Sequence, residues 1–236
     1  MSVLTKEDLK EVIQSFGIEK GDVVLLQAHL SRFANIIQGY QSLIDAIQET
    51  ITSEGCLIVP SFTYSCLDPA CQTQFAYQDW YKVRKEMKGY DCKRSKGESY
   101  KELNAQFYMY NPTRSNHPVY SFSYWGSFEE DCLKQSINDP ISFQTSLKFF
   151  VKRKAFNILI GESKEKSLLV PAIAHTMNMG TTNVQRAYIS NGNKNYLKTY
   201  LNLSVSKEET EQILNMCYIR EIEVNKEKIY CVAIQK

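Results

Sequence analysis

Apolar positions in the first sixty residues follow two alternating rhythms. Leu9, Val12, Ile13 and Phe16 are three and four apart and share one helical face. Thr5, followed three residues on by Asp8, makes a near capping box at the start of that helix, and Gly17 stops it. Gly21-Asp22 reads as a turn, and VVLL at 23–26 as a short buried strand. A second helix spans about 41–52, with Leu43, Ile44, Ile47 and Ile51 inward. Gly55 ends it, and CLIVP at 56–60 is a second strand. Helix, strand, helix, strand predicts an α/β fold, a three-layer α/β/α arrangement around a mainly parallel central sheet.

Residues 61–115 break this rhythm. The stretch has little clear period and carries Lys82, Arg84, Lys85, Lys88, Lys93, Arg94, Lys96 and Lys101 against Glu86, Asp91 and Glu98. A structureless loop this long is unusual in a compact domain, so an irregular basic excursion over a site is expected at about 65–112. Order returns with YSFSYWG, a strand in which Tyr120, Phe122 and Tyr124 alternate with Ser121 and Ser123. Helices follow at about 128–135 and 144–152, a strand at FNILIG (156–161), and a helix over 167–180 ending at Gly180. Pro171 sits near its first turn, where a missing N–H costs little. The last third holds VQRAYI, an Asn-Gly turn at 191–192 and YLKTYLNL. A helix capped by Ser206 and Glu209 then leads into Ile213 and Leu214. REIEV and KIYCVAI, joined by Asn225-Lys226-Glu227, read as a C-terminal β-hairpin. The whole of 1–236 is expected to be one domain.

Composition narrows the function classes. Apolar residues at 43% and charged residues at 23% fit a soluble globule. Lys+Arg 28 against Asp+Glu 26 leaves a net charge of +2, too small to draw in nucleic acid. The seven cysteines are scattered and form no C-x-x-C pair. A disulfide framework and a structural zinc are therefore not expected, and a cytoplasmic setting fits. The opening MSVLTKEDLK does not read as a signal peptide, and no apolar run is long enough to cross a membrane.

Histidine is the side chain whose free pKa lies nearest neutrality, and the chain has three: His29, His117 and His175. His29 follows VVLLQA at a strand's carboxyl end, where open α/β sheets place their sites. His117 precedes Pro118, which restricts its backbone to extended conformations. His175 falls within the helix predicted at 167–180, with Asn178 three residues on and within side-chain reach. Each is open to a structural or a chemical role. Their spacing is not that of a metal site, and no G-x-S-x-G elbow or Gly-rich phosphate loop occurs. Cys66 and Cys71 are alternative nucleophiles that nothing local marks out.

Several segments together resemble the aminoglycoside 3-N-acetyltransferase family. GDVVLLQAHLSRFANIIQG (21–39) is similar to its first strand and loop, SEGCLIVPSFTY (53–64) to its Pro-x-Phe-Thr segment, and Asp68-Pro69-Ala70 follows. TRSNHPVYSFSYWG (113–126) is similar to its Arg-Ser-x-His-Pro signature. DPISFQTSLKFF (139–150) matches more loosely, and FNILIG with PAIAHTMNM (156–179) resembles its strand and histidine-bearing helix. The resemblance implies an acetyl-CoA-dependent N-acyltransferase, with acetyl-CoA or another acyl-CoA as co-substrate and no metal. The residue matching the family's basic histidine is His175. With Asn178 and His29 it makes up the catalytic set that the resemblance implies. It also implies Ser31, Arg32, Phe33, Arg114, Ser115 and His117 toward CoA, and Thr63, Tyr64, Asp68 and His117 toward the acceptor.

Two departures stand out. Gln27-Ala28-His29 replaces a His-Ser-Ser, and Asn178 replaces the glutamate of a His-x-x-Glu. The missing carboxylate and the basic excursion point to an anionic acceptor, a nucleotide-linked or polysaccharide-precursor amino sugar. An aminoglycoside is the alternative, and a catalytically idle binding protein another. The terminal hairpin and the helix before it are candidates for a homodimer contact.

Overall fold

The computed structural model describes residues 3–32, 35–135, 137, 144–192 and 194–234. Helix α1 (Lys6–Ser15) leads into strand β1 (Val23–Ala28), helix α2 (Tyr40–Ile51) and strand β2 (Cys56–Pro60). The excursion then holds α3 (Trp80–Glu86), α4 (Lys101–Tyr108) and the two-residue β3 (Thr113–Arg114). Next come β4 (Phe122–Gly126), α5 (Gln144–Lys152), β5 (Phe156–Ile160) and α6 (Leu169–Thr176). The chain closes with β6 (Thr181–Ser190), β7 (Asn195–Ser204), α7 (Lys207–Met216), β8 (Cys217–Val224) and β9 (Glu227–Ile234).

The described residues form a seven-stranded sheet in the order β3-β4-β2-β1-β5-β9-β8, with β6 and β7 as a separate hairpin. Every residue of β1, β2 and β5 is buried, which is why these strands read as largely apolar runs, with Gln27 and Asn157 as their buried polar members. Val24, Leu26 and Ala28 face one layer with Leu9 and Ile13 of α1, Ile44 and Ile47 of α2, and Leu103 and Phe107 of α4. Val23 and Leu25 face the other layer with Phe150 of α5, Ala172 of α6 and Ile213 of α7. Each fully buried Leu, Ile or Phe among them stabilises by roughly 1.5–3 kcal/mol relative to exposure. Truncating Ile47, which is 0% exposed, to Ala costs about 2–5 kcal/mol.

The sheet is mixed and mostly antiparallel, which corrects the expectation of a mainly parallel one. Among the described residues only β1–β2 and β1–β5 pair in parallel. The β2–β4, β3–β4, β5–β9 and β8–β9 pairs are antiparallel. The reason is where the chain returns. A parallel neighbour needs a crossover that carries the chain back along a sheet face. The excursion instead returns to the end it left: Pro60 lies opposite Phe122, and Ser61 N–H donates to the Ser121 carbonyl at 2.9 Å. Hydrophobic periodicity reports burial, not direction.

The excursion is more ordered than its sequence. Leu103 and Phe107, four apart, anchor α4 in the core. Hairpin β6–β7 pins the rest: Asp68 N–H donates to the Arg186 carbonyl and Tyr90 N–H to the Tyr188 carbonyl, both at 2.8 Å. The helix expected at 128–135 is a single helical turn, Glu130–Leu133. Helix α6 stops at Thr176, four residues before Gly180. Asn178 takes the left-handed conformation (φ 55°) just past its end. Asn178 N–H donates to the His175 carbonyl and Met179 N–H to the Ala174 carbonyl, the Schellman pattern that closes a helix. Asn178 is therefore off the helix that bears His175, not one turn along it. Among the described residues no helix is long and apolar enough to cross a membrane.

Candidate active site

A cleft of about 380 Å³ opens at the carboxyl ends of β1, β2 and β5, where α/β sheets gather their chemistry. His29 follows the last residue of β1 and points into it. Its Nε2 lies 3.2 Å from Glu162 Oε1, and the side chain is 46% exposed. The ring packs against Tyr100 with centroids 4.7 Å apart. Phe62, Tyr64 and Leu168 supply apolar walls, and Glu98 and Lys166 supply charge.

The floor of the cleft is braced by amides. Gln27 Nε2 donates to the Tyr100 hydroxyl at 2.7 Å and to the Lys166 carbonyl at 3.1 Å, while its Oε1 accepts from Leu168 N–H at 3.1 Å. Asn157, buried in β5, donates to the Leu25 carbonyl and accepts from Ser167 Oγ at 2.7 Å. Gln27, at the position where the resemblance expects a histidine, thus ties β1 to the loop before α6.

Arg114 holds the wall. Its guanidinium donates to the Ser61 and Ser95 carbonyls, to Thr63 Oγ1 at 2.7 Å and to Ser121 Oγ at 3.0 Å. It also lies over the Tyr90 ring at 5.2 Å. One cation thereby joins the loop carrying Phe62 and Tyr64 to the loop carrying Glu98 and Tyr100. Burial lowers the proton affinity of this guanidinium. Its reference value lies so high that it stays charged.

Ser115 and His117 are 0% exposed and bonded inward. Ser115 Oγ donates to Gln135 Oε1 and accepts from Phe122 N–H at 2.9 Å. His117 Nδ1 accepts from Val119 N–H at 3.1 Å and Tyr120 N–H at 2.8 Å, folding the 117–120 turn around the imidazole. That arrangement puts the ring proton on Nε2, which finds no hydrogen-bond partner among the described residues. Burial pushes this imidazole down to about 3.

Of the residues nominated from sequence, His29 and Tyr64 line the cleft. Thr63, 2% exposed, sits behind it under Arg114. Asp68 is buried and clasped by Arg84 through two bonds of 2.9 and 2.8 Å, which hold its carboxyl below the usual range against the opposing effect of burial. Ser31 is exposed in the turn after β1, of which Arg32 is the last residue. Phe33 and residues 139–143 of the DPISFQTSLKFF segment lie outside the described residues. The His29 and Leu30 N–H groups are taken by the Ile160 carbonyl at 2.8 Å and the Tyr40 hydroxyl at 3.0 Å.

His175 and Asn178 line a different and larger cavity of about 560 Å³ between α5 and α6, with Lys148 and Lys152. Burial first, and Lys148 second, hold the His175 imidazole below its usual value. Size does not choose between the two cavities. The strand-end cleft has the convergent polar groups and the sheet edge that mark binding sites. Cys66 is poorly suited to act as a nucleophile, since burial pushes its thiol up to about 11 and leaves little thiolate. Among the described residues no group of three or more His, Cys, Asp or Glu side chains could hold a metal ion.

Comparison with known proteins adds a family. The model described as aminoglycoside 3-N-acetyltransferase matches residues 25–236. The chain belongs to the aminoglycoside 3-N-acetyltransferase family. Family and fold match those of acetyl-CoA-dependent acyltransferases. A relative in Bacillus subtilis (strain 168), the SPbeta prophage-derived aminoglycoside N(3')-acetyltransferase-like protein YokD, is 27% identical over 180 residues. That alignment covers 69% of this chain but only 62% of YokD. The crystal structure of YokD superposes with a TM-score of 0.81 at 20% identity, covering 99% of this chain and 90% of that one. AAC-IIIb, solved as a binary complex with CoASH, gives 0.76 at 14% identity, with coverages of 98% and 92%. AAC-VIa bound to sisomicin gives 0.72 at 13% identity, with coverages of 98% and 93%. At these identities the structures show a shared fold.

The sequence reading missed Glu162, Tyr100 and the bracing role of Gln27. Glu162 carried a signal: it stands just past Gly161 at the carboxyl end of FNILI, the same kind of position that singled out His29.

Proposed function

We propose that the protein transfers the acetyl group of acetyl-CoA to an amine of a polycationic amino sugar of the aminoglycoside kind. The observation that carries this reading is the charge of the cleft. Among the described residues, two carboxylates, Glu98 and Glu162, line it against one ammonium, Lys166. An acceptor bearing several ammonium groups is drawn to such a site, and a nucleotide diphosphate is repelled. The anionic-acceptor expectation rested on the missing carboxylate at Asn178 and on the basic excursion. Lys82, Lys85, Lys93, Arg94 and Lys96 of the excursion are solvent-exposed and do not line the cleft. Family membership supports the same choice. So do the two relatives solved with CoASH and with sisomicin.

Phe62, Tyr64 and Leu168 offer apolar surface to a pantetheine arm or a sugar face. Tyr64 Oη stays a neutral phenol, because burial keeps its proton on. Glu98 is fixed for its task by Ser65, whose N–H donates at 3.0 Å and whose hydroxyl donates as well.

The test is thiol release from acetyl-CoA in the presence of sisomicin, apramycin or a UDP-linked amino sugar. Turnover with the polycations and none with the UDP-sugar is expected. Turnover with the UDP-sugar alone overturns the acceptor assignment. CoA binding without thiol release from any amine favours the catalytically idle alternative.

A further inference from the structure

We infer that the general base of this chain is His29, held by Glu162, at the end of β1 rather than on α6. The inference rests on the acetyl-transfer reading above and deepens it.

The geometry starts from two parallel strands. Ala28 of β1 lies opposite Ile160 of β5, and both chains run on together past the sheet. His29 N–H donates to the Ile160 carbonyl at 2.8 Å. Gly161 then takes φ +67°, and a Cβ there would stand 2.3 Å from the His29 carbonyl oxygen. Glycine alone lets β5 pass this close. The next residue, Glu162, is thereby delivered onto the His29 ring at 3.2 Å. Tyr100 backs the ring from another side and is itself fixed by Gln27. The imidazole is held on two sides, and 46% of its side chain remains open. The carboxylate that α6 lacks is supplied to a different histidine by a different element.

Helix α6 offers no equivalent. Asn178 closes the helix, and among the described residues His175 shares its cavity with lysines and no carboxylate. Leu168 lines the cleft, and His175 stands seven residues further along, roughly 10 Å at the helical rise.

With Nε2–H donated to Glu162, the lone pair of His29 sits on Nδ1. The neutral amine attacks the thioester carbonyl, a C–N bond forms, and its proton passes to Nδ1. The C–S bond then breaks, and the departing sulfur takes that proton from the imidazolium, leaving amide and CoA thiol. Glu162 is a positioning residue that stabilises the transient imidazolium.

The test compares wild type with His29→Ala, His29→Asn, His175→Ala, Glu162→Gln and Glu162→Asp, using acetyl-CoA and sisomicin. Thermal melts check folding, and calorimetry with CoA checks donor binding. The two His29 variants are expected to lose about 10²–10⁴-fold in kcat with CoA affinity retained. Added imidazole should restore part of the His29→Ala rate, which a structural role does not predict. Glu162→Gln should lower kcat, with Glu162→Asp partly restoring it; a change confined to the sisomicin KM contradicts the positioning role. An active wild type indifferent to both His29 variants, or one that loses turnover only in His175→Ala, overturns the assignment of the base. A wild type that releases no thiol with any amine removes the functional reading itself, and the base with it.

Discussion

The imidazole of His117 makes the fold sensitive to mild acid. The ring is 0% exposed, and the backbone N–H groups of Val119 and Tyr120 point at Nδ1. A proton arriving there breaks both bonds and buries an unpaired charge, so burial holds the group at about 3. In the unfolded chain it returns to about 6.5. Below that value the unfolded state binds the extra proton, so stability is full above about 6.5 and declines as pH falls toward 3. The slope approaches about 1.4 kcal/mol per pH unit, so roughly 2 kcal/mol is lost by pH 5. His117→Asn isolates the effect, because an Asn oxygen accepts from the same backbone N–H groups as an Asx turn and does not titrate. Urea unfolding at pH 7.5 and pH 5 measures it. Wild type should lose about 2 kcal/mol more than the variant over that interval. Equal losses in the two proteins, or an imidazole that titrates near 6.5 by NMR, would refute the reasoning.

Other outcomes follow from the same geometry. Arg114→Gln strips donors from Ser61, Thr63 and Ser95 and should cost about 2–4 kcal/mol in chemical denaturation, while raising the acceptor KM as the cleft wall loosens. Arg84→Ala leaves the Asp68 carboxylate buried without its partner and should cost about 2–3 kcal/mol. Arg84→Ala with Asp68→Asn should recover part of it in a double-mutant cycle. Gly161→Ala drives a methyl into the His29 carbonyl and should lower both the melting temperature and kcat, whereas Gly17→Ala, with nothing within 4 Å, should cost only backbone strain.

Much of the fold was legible in the sequence because burial is written in it. VVLL and CLIVP are apolar throughout, and FNILI is apolar but for Asn157, because both faces of their strands are covered. Leu43, Ile44, Ile47 and Ile51 sit where helical spacing put them, on the inner side of α2. Strand direction was not legible, because it depends on where the excursion returns, and no residue pattern in 61–115 encodes that. The cleft was half legible. His29 and Tyr64 stand at strand ends and could be nominated alone. Glu98 and Tyr100 come from the excursion and Glu162 from beyond β5, so only the folded chain brings them to His29. His117 drew notice as a rare residue in a rigid dipeptide. Its bonds run into the backbone of its own turn, a use of imidazole that no spacing announces.

The central claim is that the acidic cleft around His29 acetylates a cationic amino sugar. The most direct measurement is mass spectrometry of an equimolar mixture of sisomicin and a UDP-linked amino sugar after incubation with acetyl-CoA and either wild type or His29→Ala. The account predicts sisomicin heavier by one acetyl group with wild type, an unmodified UDP-sugar, and little product with the variant. Acetylation of the UDP-sugar in preference to sisomicin, or equal product from both proteins, would contradict it.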